Sequence, residues 1–167
     1  MSDPVAAAIL DRLAVATFVD PHSHIDPHAP AARSLADILC YHYYTELVHS
    51  AGVPRGEIEG EGLSAERRVE RLVAGLAPLS NTIQHAWLME IARDLFGFDE
   101  PVLDRSNWRR LADRVATATA APDWEARVLA TNRMDAVFLT NDFDDPLEGF
   151  DTATYVPCLR VDELVFH

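Results

Sequence analysis

The sequence predicts an α/β architecture: the opening strands of a larger parallel barrel, with a long helical stretch between the first strand and the second. Three observations predict it. A short apolar run from Ala14 to Val19 reads as a strand and leads into Asp20-Pro21-His22-Ser23-His24. A long stretch with the 3.6-residue periodicity of amphipathic helices follows. The character then changes to two near-continuous apolar runs, Asp135 to Thr140 and Thr154 to Arg160. Such runs are expected of parallel strands covered on both faces. Three strands among so many helices read as a first portion rather than a finished domain, so the chain is expected to be truncated relative to a full barrel.

Composition bounds the function. The 167 residues are 49% hydrophobic and 25% charged, enough for a real core and too apolar for disorder. Fourteen basic and 27 acidic side chains give a formal net charge of -13. Nucleic acid and anionic membrane surfaces are therefore poor partners, because phosphate would be repelled. An anionic small substrate remains compatible, since a few arginines and a metal can dominate one pocket. Cys40 and Cys158 lie far apart with no CxxC, which reads as two buried, reduced thiols in a cytoplasmic protein. The start lacks the basic region of a signal peptide, and Asp11 and Arg12 interrupt the apolar stretch after it.

Each element has a local reason. Asp3 as N-cap and Pro4 at the first helical position open a short helix over 4–13. The strand bearing the histidines follows, then a proline-rich loop from Pro27 to Arg33. Ser34, with Asp37 three positions on, opens a helix that Gly52 closes. Leu35, Ile38, Leu39 and His42 share one face of it, so His42 is expected to point toward protein. Residues 53–63, rich in glycine, proline and glutamate, are expected to be a loop. Helices follow at 64–77 (Val69, Leu72, Val73, Leu76), 80–96 (Ile83, Trp87, Ile91, Leu95), 106–120 (Trp108, Leu111, Ala112, Val115) and 123–132. Ser64, Ser80, Ser106 and Asp123 stand as their N-caps. Trp87, Trp108 and Trp124 are expected in the core. Pro157 weakens the last strand, because proline cannot donate to a ladder.

The chemistry concentrates in His22 and His24. Residues i and i+2 of a strand share a face, so two imidazoles project side by side while Ser23 turns away. Converging neutral imidazoles suit a borderline-soft divalent cation such as Zn²⁺. The alternative is a pair of histidines hydrogen-bonded at a strand end. Asp20 is either an orienting partner of the pair or a loop aspartate before proline. His28 reads as solvent-exposed, and His49 and His85 as helix-surface or packing residues. Glu46 stands one turn from His42. Asp142, Asp144 and Asp145 read as a solvated acidic turn.

Several of these segments resemble the uronate (glucuronate) isomerases of the amidohydrolase superfamily. Phe18-Val-Asp-Pro-His-Ser-His24 is similar to the first barrel strand of that superfamily. Tyr41-His42-Tyr43 stands where the isomerases carry a His-Tyr pair after that strand. Leu139-Thr-Asn-Asp142 through Asp144-Asp-Pro146, and then Val156-Pro-Cys-Leu-Arg-Val-Asp162, follow in the family's order. The spacing departs from the family's compact Thr-Thr-Asp-Asp-Pro, and its Trp-Arg-Pro-Asp is here Leu159-Arg-Val-Asp162.

The resemblance implies a partial (β/α)₈ barrel of amidohydrolase type. Residues 1–167 would be the N-terminal part of one domain, 34–133 a mostly helical insertion, and 135–167 strands two and three. It implies interconversion of an aldose uronate and a ketose uronate through an enediol. His22 and His24 would be ligands of a divalent metal, zinc being the expected ion. His42, Tyr43 and Arg160 would bind the sugar acid, Arg160 gripping a carboxylate rather than pairing with Asp162. The general base is unassigned. A barrel needs roughly 250 residues, so the chain alone is expected to be silent and its open strand edges prone to association. A homo-oligomer, or a C-terminal barrel portion, is the partner this leaves open. Two rival readings stand beside it: a metal-dependent amidohydrolase on the same fold, and a non-catalytic helical binding or scaffold domain.

Overall fold

The computed structural model describes residues 3–142, 144–161 and 165. The chain forms two compact units, one from the segments up to Pro30 and from Glu125 onward, the other Ala31–Trp124.

The first unit carries a parallel three-stranded sheet in the order β1-β2-β3. Helix α1 (Pro4–Leu13) comes first, with the Asp3 carboxylate accepting from the Val5 N–H. Strand β1 is Phe18–Ser23, later than the Ala14–Val19 run. Backbone bonds from Ala14, Val15 and Ala16 to Leu10, Arg12 and Leu13 extend the helix turn through half of that run. Strand β2 is Met134–Leu139, at the expected place. Strand β3 is only Tyr155–Val156, where a seven-residue strand to Arg160 was expected. Pro157 follows immediately, and its missing N–H ends the ladder. Val137, Leu139 and Tyr155 form the core, with Ile25, Leu129, Met134 and Phe150 packed against it. The Tyr155 hydroxyl donates to Glu125 Oε1 at 2.8 Å. Burial, and the Glu125 carboxylate beside it, push the Tyr155 phenol well above its ordinary pKa.

The pairing of β1 with β2 is irregular. Asp20 pairs with Val137 and Ser23 with Leu139, so three steps along β1 match two along β2. The extra residue is a bulge spanning Pro21 and His22.

The second unit is helical: α2 (Leu35–Leu39), α3 (His42–Ser50), α4 (Gly56–Glu59), α5 (Ala65–Gly75), a 3-10 turn (Ala77–Leu79), α6 (Ile83–Phe96) and α7 (Trp108–Thr119). Helix α8 (Trp124–Thr131) leads back to β2. The largest fully buried side chains of the helical unit are Phe98, Leu39, Ile58, Leu72, Leu76, Leu88, Leu111, Val48 and Val115. Ser34 and Ser64 cap α2 and α5 as expected, accepting from Asp37 N–H and Arg67 N–H. The Trp124 indole stacks on Phe96 and donates to the Ala32 carbonyl at 2.9 Å.

Several expectations are corrected here. The helix expected from Ser34 to Gly52 is two helices, because Tyr41 adopts an extended conformation (φ -66°, ψ 142°) and resets the phase. Residues 53–63 contain the short helix α4, which buries Ile58. Helix α6 is capped by Thr82 rather than Ser80, and buries His85, Leu88, Ala92 and Phe96. Trp87 consequently lies off the core face and is 50% exposed. Ser106 is not an N-cap: Asn107 takes the capping position of α7, while Asp104 accepts from the Ser106 N–H and hydroxyl. Cys40 and Cys158 are free but only partly buried.

Candidate functional site

His22 and His24 stand at the C-terminal end of β1. Ser23 between them is 9% exposed and faces inward, while both histidines are exposed. Their rings meet edge to face with centroids 5.0 Å apart, and Nε2 of His22 lies 3.3 Å from Nε2 of His24. Asp20 does not touch either ring in these contacts: its carboxylate accepts from the backbone N–H of His22 at 3.0 Å. That bond satisfies an N–H the bulge removes from the ladder.

Thr140, the first residue after β2, reaches both the strand and the pair. Its hydroxyl lies 2.9 Å from the Ser23 carbonyl oxygen and 3.0 Å from Nδ1 of His24. Beside it, the Asn141 side-chain oxygen accepts from the Cys158 N–H at 2.9 Å, tying the end of β2 to the segment after β3. Asp142 N–H donates to Asp145 at 2.8 Å, which makes the acidic segment a hydrogen-bonded turn.

A cavity of about 340 Å³ opens here, lined by His24, His28, Thr140, Asn141, Asp145 and Phe150 among others. It lies beyond the carboxyl ends of the parallel strands, the face on which α/β sheets and barrels carry their ligands. His28 is exposed to this cavity, its ring edge-on to Phe150 at 5.4 Å. Sequence alone marks His28 as exposed, as it is, and gives Thr140 no role of its own. The available signal was positional: Thr140 follows β2 as His24 follows β1.

Arg160 lies four residues past the end of β3, in coil rather than at a strand end. Its guanidinium sits 3.5 Å from Asp142. Asp162, the partner weighed against a carboxylate ligand, lies outside the described residues.

His42 and Tyr43 belong to the helical unit, at the N-terminus of α3. His42 is exposed rather than directed toward protein. With the helix restarted after Tyr41, the buried residues of this turn are Tyr44, Thr45 and Val48. Tyr41, His42 and Tyr43 form a surface cluster of rings, with centroids 4.3 Å apart for Tyr41–His42 and for His42–Tyr43. His49 packs locally, Nδ1 against the Val53 carbonyl at 3.0 Å and Nε2 against Glu59 at 3.2 Å.

The donor set can be tested against a zinc ion. Tetrahedral coordination with Zn–N bonds of about 2.0–2.1 Å sets two nitrogens about 3.3–3.4 Å apart. The observed Nε2 to Nε2 distance is 3.3 Å. Among the described residues no cluster of three or more His, Cys, Asp or Glu completes a ligand set. The pair fits half of a site.

No helix among the described residues is long and apolar enough to cross a membrane. No family model matches the sequence. The chain is similar to the uronate isomerase of Corynebacterium efficiens, 26% identical over 162 residues, covering 88% of this chain and 34% of that protein. Its fold matches the crystal structure of glucuronate isomerase from Caulobacter crescentus with a TM-score of 0.76 at 18% identity, covering 95% of this chain and 38% of that one. The chain is thus similar over nearly its whole length to uronate isomerases, and spans about a third of the length of the curated relative it matches.

Proposed function

We propose that this chain is the N-terminal portion of a uronate isomerase-like enzyme, catalysing aldose–ketose interconversion of a hexuronate of the glucuronate-to-fructuronate type. In this reading β1, β2 and β3 are the first three strands of a (β/α)₈ barrel. Residues 34–133 are a helical insertion between the first two strands. His22 and His24 hold a divalent cation, zinc being the first candidate. The observation that carries the reading is the convergence of the two Nε2 atoms at 3.3 Å, beside a cavity at the carboxyl end of a parallel sheet.

The reaction moves a proton between C2 and C1 of the sugar acid through an enediol. A bound divalent cation supplies electrostatic stabilisation of the developing enediolate oxygen. The chain's own residues bind and orient. Arg160 offers a planar fork for the substrate carboxylate, in competition with Asp142 at 3.5 Å. His42 and Tyr43 offer exposed ring and hydroxyl edges for sugar hydroxyls. The reading keeps the chain in the cytoplasm, with a sugar acid as ligand and no nucleic-acid or membrane partner.

Titration calorimetry with Zn²⁺ tests the site. The chain should bind one equivalent weakly, since a catalytic zinc ordinarily has three protein ligands. His22→Ala with His24→Ala should abolish that binding, and an unchanged affinity in the double variant overturns the metal reading. The chain by itself should not turn over glucuronate, because a closed barrel needs roughly 250 residues. Robust isomerisation by a purified monomer overturns the partial-barrel reading.

A further inference from the structure

We infer that Thr140 is a positioning residue: its hydroxyl fixes His24 as the Nδ1–H tautomer, leaving the Nε2 lone pair aimed at the point where His22 Nε2 also converges. The inference that this serves a cation rests on the metal reading above; the tautomer itself does not.

The reasoning is a matter of counting protons. The Thr140 hydroxyl has one proton and two lone pairs. It lies 2.9 Å from the Ser23 carbonyl oxygen and 3.0 Å from His24 Nδ1. A carbonyl oxygen only accepts, so the hydroxyl proton goes to Ser23. The contact with His24 is then a hydrogen bond only if Nδ1 carries the proton and donates to the hydroxyl oxygen. The opposite assignment sends the proton to Nδ1 and leaves two oxygens facing each other at 2.9 Å with no proton between them. A neutral imidazole holding its proton on Nδ1 has its lone pair on Nε2. The 3.3 Å contact with His22 Nε2 is then a hydrogen bond when His22 carries its proton on Nε2. A ring held at one nitrogen by an outer partner while the other faces a cation is a recurring arrangement around metal-bound histidine.

The backbone explains why a threonine can do this. Ser23 and Leu139 are paired across β1 and β2, and both are buried. The first residue after each strand, His24 and Thr140, therefore emerges on the same side, adjacent to the same point. The β-branched side chain of threonine has few χ1 choices, so the hydroxyl is held where both partners can use it.

Long-range proton–nitrogen NMR on the ¹⁵N-labelled, metal-free 167-residue chain at pH 8 reads the tautomer directly. The wild type should show His24 as Nδ1–H and His22 as Nε2–H. Thr140→Val, which keeps the shape and removes the hydroxyl, should move His24 to a mixture of tautomers. Thr140→Ser should retain the wild-type pattern, and the backbone spectrum of each variant reports whether it folds. If wild-type His24 is the Nε2–H tautomer, or if Thr140→Val leaves the pattern unchanged, the inference is overturned. Zn²⁺ titration of the same samples separates the two layers. Thr140→Val should weaken binding about 10–100-fold, the range found for such outer partners, and Thr140→Ser by much less. A wild-type chain with the expected tautomer and no Zn²⁺ binding upholds the Thr140 assignment and refutes the metal reading.

Discussion

Gly75 closes α5 where the helix passes closest to Val48 of α3, and Gly75→Ala measures how tightly the helical unit is packed. A β-carbon built at Gly75 would lie 2.5 Å from Val48 Cγ1 and 3.3 Å from Val53 Cγ2. Carbon atoms in contact prefer about 3.5–4.0 Å, so the neighbours must separate by about 1 Å or more. Val48 is 0% exposed and β-branched, so it cannot swing out to solvent to make room. Overpacking of this kind costs about 1–3 kcal/mol. Alanine's better helix propensity offsets up to about 1 kcal/mol, less at a terminal position. The expected net loss is about 1–2 kcal/mol. In urea unfolding followed by circular dichroism, with a slope of about 1–3 kcal/mol per molar, the midpoint should fall by about 0.3–2 M at constant slope. Gly75→Ala combined with Val48→Ala should be less damaging than the sum of the two, because the shortened side chain relieves the clash it would otherwise meet. A neutral or stabilised Gly75→Ala, or strict additivity in the pair, would refute the close-approach reasoning.

Burial lowers the pKa of His85, which is 7% exposed on the core face of α6. The unfolded chain therefore takes up a proton that the folded chain resists, so stability should fall as pH drops below about 6.5. Denaturant midpoints across pH 5–8 for wild type and His85→Gln check this, the variant being flatter. Tyr155 has the reverse sign: its raised pKa means stability is present below pH of about 10 and is lost as pH rises past it. Tyr155→Phe should remove that alkaline loss and cost about 1 kcal/mol near neutrality through the lost bond to Glu125. His42→Ala and Tyr43→Ala should each shift stability by less than about 0.5 kcal/mol in thermal melts, since both side chains are exposed. A larger loss would mean that the ring cluster holds the corner between α2 and α3.

Where a single local rule acted, the sequence was legible. Ser34, Ser64 and Asp3 cap the helices they precede. Val69, Leu72 and Val73 are buried on the face their spacing picks out. The parallel sheet followed from the near-continuous apolar runs at β2 and β3, although β3 proved short. Legibility failed where two local signals compete. In α6 the stripe Ile83–Trp87–Ile91 is as periodic as His85–Leu88–Ala92, and only tertiary packing decides for the second. At Tyr41 a backbone rotation of one residue turned His42 outward, and nothing in a run of tyrosines announces that. The histidine pair was visible because strand periodicity is simple. Thr140 was not, because its contact with His24 spans 116 positions of sequence and depends on strand register.

The register also changes how the histidine pair itself comes about. In a regular strand His22 would share a face with Asp20, and Ser23 would take the other. Here Asp20 and Ser23 both pair with residues on the buried face of β2, Val137 and Leu139, although they are three positions apart. An extra residue must be absorbed between them. Pro21 has no N–H to contribute, and the N–H of His22 goes to the Asp20 carboxylate instead of the ladder. The bulge thus turns Pro21 and His22 both outward, and normal alternation resumes with Ser23 in and His24 out. Bulges are common where a strand must re-aim a side chain beside a site. The convergence of His22 and His24 therefore depends on the Asp20-Pro21 dipeptide as much as on the spacing of the histidines.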